Sequence, residues 1–421
     1  MTRDCELDAT MHVATTKGME KMKQILYGLT IAAFAAIAAP AQAGTDAIKI
    51  GVLTDMSGVT ADVTGKGSVT AAEMAVEEFG GTVLSKKIQV IFADHLHKVD
   101  VGAAITRQWF DVDKVDAVVD VPNSGVALAV QSIAREKKKI VMFSGAGTTA
   151  LTNEQCSPYG FHWTYDTYGL SHGTASAVVK AGGTSWFILA ADYAFGQQLQ
   201  KDTTDVVQAN GGQVLGAVRH PLNTQDFSSY LIQAQASGAK VIGIANAGND
   251  TVNAIKQAQE FGLVDQNHSL AALILMLQDV HSLGLNAAQG TYLTTASYWD
   301  IDDVSRAWSK KFFERTNIMP SMIHAGVYGS VLHYLKAIKA AGTDDPDKVA
   351  AAMRAMPIND AFTHDAHIRA DGHVMREMYL ARVKKPAESK GPWDYFEIVR
   401  KIAPEEAVWP LSESTCALVK K

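Results

Sequence analysis

Two short loops rich in glycine and hydroxyl side chains carry the first chemical signal in this sequence. Val121-Pro122-Asn123-Ser124-Gly125 and Ser144-Gly145-Ala146-Gly147-Thr148 each follow an apolar run. Loops of this kind sit at the carboxyl ends of strands, where open α/β sheets take small ligands. Small residues let an anion approach backbone N–H groups, and the positive end of a following helix favours it. The pair therefore reads as a carboxylate site. Ser124 and Thr148 also have a simpler use, as helix caps.

Three other patterns point to different chemistry. Gly169-Leu170-Ser171-His172-Gly173 has the G-x-S-x-G spacing of a hydrolase nucleophile elbow. An elbow needs an apolar strand before it, and His162 to Tyr168 is polar and aromatic instead, so Ser171 is expected inside a helix. An exported serine hydrolase built on Ser171 is the rival of another class; no enzyme is expected. Gly145-Ala146-Gly147-Thr148-Thr149-Ala150 fits G-x-G-x-x-A, but the dinucleotide fingerprint occupies the first βα turn of its domain, and Asp166 ends no obvious strand. His95 and His97, with His364, His367 and His373, are of metal-ligating type. They have no nearby cysteine and no helical i, i+4 pair, and read as solvated or hydrogen-bonding side chains. No cofactor and no metal are expected.

The elements that would position the two loops follow a βα alternation. Ile48–Thr54, Ile88–Ala93, Ala117–Val121 and Ile140–Ser144 read as strands, with helices near 68–79, 101–110 and 125–136 between them. After the aromatic pause His162-Trp163-Thr164-Tyr165-Asp166 the alternation restarts, with strands at 185–190, 213–219, 241–245, 271–275 and 290–295. Helices near 304–316, 323–341 and 346–355 follow, then a loop-like 358–375 and late antiparallel strands at 378–383 and 395–399. The class is α/β, with two parallel sheets covered by helices.

Composition narrows the setting. The chain has 421 residues and a formal net charge of −6, without the basic runs that nucleic acid would need. Lys21 and Lys23 precede an apolar run from Ile25 to Ala39, and Ala41-Gln42-Ala43 supplies small residues. That order is a secretory signal with cleavage after Ala43, and an apolar helix of this length rises only about 22 Å, short of a hydrocarbon core of about 30 Å. Residues 44–421 exceed what one hydrophobic core usually organises, so two lobes are expected. Of three cysteines, Cys5 precedes the cleavage point; Cys156 and Cys416 remain, and an oxidising periplasm permits them to pair.

Several segments, taken in order, resemble the branched-chain amino acid (leucine-binding) type of periplasmic substrate-binding protein of ABC importers. They are Ile48-Lys49-Ile50-Gly51-Val52-Leu53-Thr54-Asp55-Met56-Ser57-Gly58, Asn123-Ser124-Gly125, Ser144-Gly145-Ala146-Gly147-Thr148 with Leu151-Thr152, Asp192-Tyr193-Ala194-Phe195-Gly196 and Gln225-Asp226-Phe227-Ser228. The resemblance implies a type I periplasmic binding protein fold: two Rossmann-like lobes joined by three crossovers near residues 165, 298 and 365. Lobe 1 would comprise 44–165 and 299–365, and lobe 2 166–298 and 366–421, after a signal peptide with an N-terminal extension over 1–43. It implies a monomer that hands a small carboxylate ligand to an inner-membrane ABC permease.

In that family the first lobe holds the ligand carboxylate, here through Asn123, Ser124, Ala146, Gly147 and Thr148. Phe195, beside Tyr193, would pack on the ligand, and Asp250 of Asn249-Asp250 would receive an α-ammonium. The chain departs from the pattern at Val63-Thr64, where an aromatic residue is frequent, at Phe195 for tyrosine, and at Asp250 for glutamate. Trp163 and Tyr165 add aromatic surface at the hinge. The expected ligand is a hydrophobic or branched-chain amino acid, with an aromatic carboxylate as the alternative.

Overall fold

The computed structural model describes residues 47–263 and 269–419. The expected signal segment and Cys5 lie outside the described residues. The first series of elements is β1 (Ile48–Thr54), α1 (Gly65–Phe79), β2 (Thr82–Val83), β3 (Lys86–Asp94), α2 (Val99–Gln108), β4 (Ala117–Asp120), α3 (Ser124–Lys137), β5 (Ile140–Phe143) and β6 (Gly160–His162). The strands form one sheet in the order β2-β3-β1-β4-β5-β6, parallel except for β2 against β3. Helices cover both faces, so β4 and β5 are buried throughout and are apolar except for Asp120 at the end of β4. Successive side chains feed opposite layers: Val119 and Met142 pack with Ala71 and Ala75 of α1, while Val118 and Val141 pack with Val126 and Val130 of α3.

The second series is α4 (Thr167–Lys180), β7 (Ser185–Ala191), α5 (Ala194–Ala209), β8 (Gln213–His220), α6 (Ser228–Ala236), β9 (Val241–Ala245), α7 (Asn249–Glu260), β10 (Ser269–Ala272), α8 (Leu277–Leu283), α9 (Leu285–Ala288) and β11 (Tyr292–Thr295). Here β7 to β10 form a parallel sheet in the order β10-β9-β7-β8. The chain then returns to the first sheet with α10 (Asp303–Thr316), α11 (Met322–Ala341) and α12 (Pro346–Ala355); α11 packs on α1 and β4. After β12 (His367–Ile368) and β13 (Val374–Met375), β14 (Met378–Val383) and β15 (Phe396–Ile402) pair antiparallel and take β11 as a third strand. The chain thus passes between the sheets after β6, β11 and β13. In both parallel sheets the strand order reverses beside the first strand, and that is where ligand crevices form.

The segment 358–375, read from sequence as a loop, contains a short antiparallel ribbon of β12 and β13. It forms because a remote strand end supports it: the His162 N–H donates to the Gly372 carbonyl at 2.9 Å, and His162 bridges His373. Cys156 and Cys416 form a disulfide across 260 residues of sequence, which ties the C-terminal tail to the loop before β6. Closing so long a loop restricts the unfolded chain strongly. Replacing both cysteines by serine is expected to lower stability by about 2–5 kcal/mol, read from denaturant melts of oxidised wild type and variant. Equal midpoints would show that the bridge contributes nothing.

Candidate ligand-binding site

Loops after β1, β4 and β5 face loops after β7, β9 and β10 across a cleft, and residues from both sides line a narrow cavity between them, with a free volume of only about 10 Å³. Its walls are largely apolar: Val63, Tyr165, Tyr193, Phe195, Ile274, Met276 and Ile323. Thr60 and Asp279 are polar members of the lining. The two sides touch directly. The Asn249 N–H donates to the Val59 carbonyl at 2.9 Å, and a methyl group at Gly147 would lie 2.7 Å from the Phe195 ring. At Gly248, φ is +56° and a methyl group would stand 2.0 Å from the Val59 oxygen, so only glycine allows this approach.

The loop after β1 is wound around Asp55. Its fully buried carboxylate accepts the N–H groups of Gly58 and Thr60 at 2.6 and 2.8 Å, the Thr60 hydroxyl at 2.8 Å and His97 Nε2–H at 2.7 Å. Burial works against the charge, but the His97 hydrogen bond and the Thr60 donors outweigh it and hold the carboxyl well below the usual carboxylate range. Asn123 caps α3 by accepting the Val126 N–H at 3.0 Å, which turns its amide nitrogen toward His97 Nδ1, 3.0 Å away. His97 Nδ1 is therefore an acceptor and the proton sits on Nε2. His95 donates its backbone N–H to the Thr54 carbonyl at 3.0 Å, its Nδ1 accepts the His97 N–H at 3.0 Å, and burial lowers the ring to about 4. These histidines, read from sequence as solvated or hydrogen-bonding, belong to the buried scaffold of the site. Among the described residues no group of three or more His, Cys, Asp or Glu is placed to hold a metal ion.

The chain leaves β4 through Asp120, its last residue, at φ +82° and Val121 at φ +55°. Left-handed backbone costs a non-glycine residue about 1–2 kcal/mol, more so when β-branched. Hydrogen bonds hold it: Val121 N–H to Leu53 O at 2.8 Å, and the N–H groups of Ser144 and Gly145 to Asp120 O at 3.2 Å. The turn carries Pro122 into the cavity lining and sets Ser124 at the start of α3. Ser124 Oγ accepts the N–H groups of Gly147 and Thr148, each at 3.3 Å, which leaves its own proton free to donate. Thr148 Oγ caps the short turn at Ala150 at 3.4 Å. The Ala146 carbonyl accepts His162 Nε2–H at 2.7 Å, and the Gly147 carbonyl accepts the Thr167 N–H that starts α4.

Of the remaining residues singled out from sequence, Tyr165, Tyr193 and Phe195 line the cavity, and the Tyr165 hydroxyl donates to the Gly145 carbonyl at 2.7 Å. Trp163 does not; it is fully buried, with its ring 5.5 Å from that of His333. Asn249 contributes its backbone, as above. Asp250 is buried behind Gly248; Oδ2 accepts the Asn223 N–H at 3.0 Å, Oδ1 has no hydrogen-bond partner among the described residues, and burial raises its carboxyl above the ordinary value. Ser171 lies within α4, its hydroxyl 3.0 Å from that of Thr203 and outside the cavity lining. Sequence reading missed Thr60, Ile274, Met276, Asp279 and Ile323, for which no local motif exists.

At the hinge, the His162 ring stacks on His373 with centroids 5.2 Å apart, and His373 Nε2 lies 3.2 Å from Asp166, the residue that caps α4. Burial lowers His162 to about 4, from 6.5. The folded chain therefore holds it neutral where an unfolded chain would protonate it. Its contribution to stability is full above 6.5 and is lost as pH falls toward 4. Relative to His162→Gln, wild type is expected to lose stability across that window in denaturant titrations; a pH-independent gap would refute the neutral ring. Gly248→Ala is expected to hinder closure, giving a larger radius of gyration by X-ray scattering with unchanged circular dichroism. An unchanged radius would show that the Val59 contact does not govern closure.

A sequence profile of the periplasmic binding protein family matches residues 47–391. A curated relative, a Leu/Ile/Val-binding protein homolog of Brucella melitensis, is 25% identical over 86% of this chain and 94% of its own. Among solved structures, a periplasmic binding protein from Burkholderia mallei is 51% identical with a TM-score of 0.88, covering 90% of this chain and all (100%) of that one. A branched-chain amino acid ABC transporter periplasmic ligand-binding protein from Burkholderia xenovorans is 42% identical with a TM-score of 0.79, covering 89% of this chain and 100% of its own. A solute-binding protein of an ABC transporter from R. palustris, solved in complex with benzoate, shares the fold at 21% identity and a TM-score of 0.76, over 85% of this chain and 97% of that one. Among the described residues no helix is long and apolar enough to cross a membrane. With two parallel sheets meeting on one cleft, the type I fold is shown, and the chain belongs to the periplasmic binding protein family, among the branched-chain amino acid (leucine-binding) type of ABC-transporter substrate-binding proteins.

Proposed function

We propose that this protein, exported to the periplasm with residues 1–43 removed, captures a small carboxylate-bearing ligand and delivers it to an ABC permease. The closing bodies are residues 44–165 with 299–365 and residues 166–298 with 366–421. The observation that carries this reading is the cavity itself, which has aromatic and aliphatic walls and is lined by Pro122 and Gly145 of the two hydroxyl-rich loops; Ser124, Gly147 and Thr148 of those loops lie outside the lining, with the Ser124 hydroxyl proton free beside the two amides. A ligand carboxylate would take the Ser124 proton and draw the Gly147 and Thr148 N–H groups from their long bonds to Ser124. The Val59–Asn249 hydrogen bond and the Phe195–Gly147 contact exist only with the lobes together, so a ligand touching both sides favours the closed form.

A hydrophobic or branched-chain amino acid fits the relatives' names; Asp250, which lies outside the cavity lining, is in this reading the partner of its ammonium. An aromatic carboxylate is the second reading, favoured by Tyr165, Tyr193 and Phe195 in the lining and by the benzoate complex of the R. palustris protein. Calorimetric titration with leucine, phenylalanine and benzoate tests both. Ser124→Ala and Thr148→Val are expected to weaken either kind by about 1–3 kcal/mol for each charge-assisted hydrogen bond. Asp250→Asn is expected to cost about 2–4 kcal/mol for an amino acid and little for benzoate. Ser171→Ala is expected to bind as wild type does. If the Ser124, Thr148 and Asp250 variants all retain wild-type affinity for their best ligand, the site is elsewhere.

A further inference from the structure

Asp279 is the one carboxyl among the described residues that line the cavity. It stands in the first turn of α8 and is only 4% exposed. Oδ2 accepts the Met276 N–H at 2.8 Å; Oδ1 has no hydrogen-bond partner among the described residues. Asp250, by contrast, is absent from the lining and already bonded to Asn223.

The contacts across the cleft place Asp279 at the end opposite the carboxylate loops. Gly147, after β5, meets Phe195, after β7; Val59, after β1, meets Gly248, after β9. In the second sheet β10 lies beyond β9, so its loop extends past the Val59 contact, and Asp62 of the loop after β1 is the charge that acts on Asp279 there. Between the two ends the walls are Val63, Ile274, Met276 and Ile323, which offer no hydrogen bond from their side chains.

We propose that Asp279 is a specificity residue that selects ligands carrying a proton donor, hydroxyl or ammonium, at the end remote from their carboxylate. This rests on the carboxylate reading given above. A carboxyl turned toward an apolar cavity is costly while one oxygen lacks a donor, and a ligand without a donor leaves it so. Burial above all, with the charge of Asp62, already pushes Asp279 up to about 7 despite the Met276 hydrogen bond. A ligand donor would relieve that penalty; a hydrocarbon end would not.

Titration of wild type and Asp279→Asn with two matched pairs, benzoate against 4-hydroxybenzoate and phenylalanine against tyrosine, tests this. Asparagine keeps the Met276 cap through its amide oxygen and turns an NH2 donor toward the cavity. Wild type is expected to prefer the hydroxyl-bearing member of the pair it binds by about tenfold or more, because an unmatched buried polar group opposes the plain member. Asp279→Asn should abolish or invert that ratio. A wild-type ratio near one, or the same ratio in both proteins, overturns the inference while the carboxylate reading stands; the wild-type ratio decides alone if the variant does not fold. Binding of no member by wild type overturns the carboxylate reading and this inference with it.

Discussion

A carboxylate buried as fully as that of Asp55 costs several kcal/mol unless donors surround it, and the cleft side of the first lobe is arranged to supply them. Three backbone amides and the Thr60 hydroxyl come from the loop after β1 itself, and the remaining donor is the His97 ring. That ring is held in turn by Asn123, whose other amide atom caps α3. One buried charge thus links the ends of three neighbouring strands, β1, β3 and β4. Val59 lies between two residues bonded to Asp55, and its carbonyl is the acceptor that reaches the second lobe.

Backbone groups and small residues dominate the direct contacts between lobes around the cavity. Val59 O, Asn249 N–H and the bare faces of Gly147 and Gly248 allow the two sides to approach without long side chains between them. The Val59–Asn249 and Gln278–Met319 hydrogen bonds and one ring contact are weak relative to the apolar area that a ligand would add to both walls. Closure by this geometry depends on what occupies the cavity, as expected of a fold whose ligand selects among conformations. The hinge is built differently, from buried rings and carboxyls: His162, His373 and Asp166 join β6, β13 and α4 through short polar contacts in a water-poor setting. Such a cluster resists deformation because each member, once exposed or charged differently, loses a partner.

Local pattern made the strands, the helices and the two glycine- and hydroxyl-rich loops legible in the sequence, since residue period and turn chemistry act within a few residues. The even pair of cysteines in an exported chain likewise pointed to the bridge between Cys156 and Cys416 that the structure contains. The order of short segments indicated the family. Tertiary structure alone decided which side chains reach the cavity. Tyr165 lines it and Trp163, two residues earlier, is buried in the core, because the chain leaves the first sheet just there. The ribbon of β12 and β13 exists through its pairing with His162, and His97 owes its tautomer to Asn123. Asp279 carries no motif: in the sequence it is an acid at the start of a short helix, and its place in the cavity arises only when β10 aligns beside β9 and the lobes meet. Periodicity is a property of neighbours along the chain, whereas a binding site is made by segments far apart in it, brought together by packing.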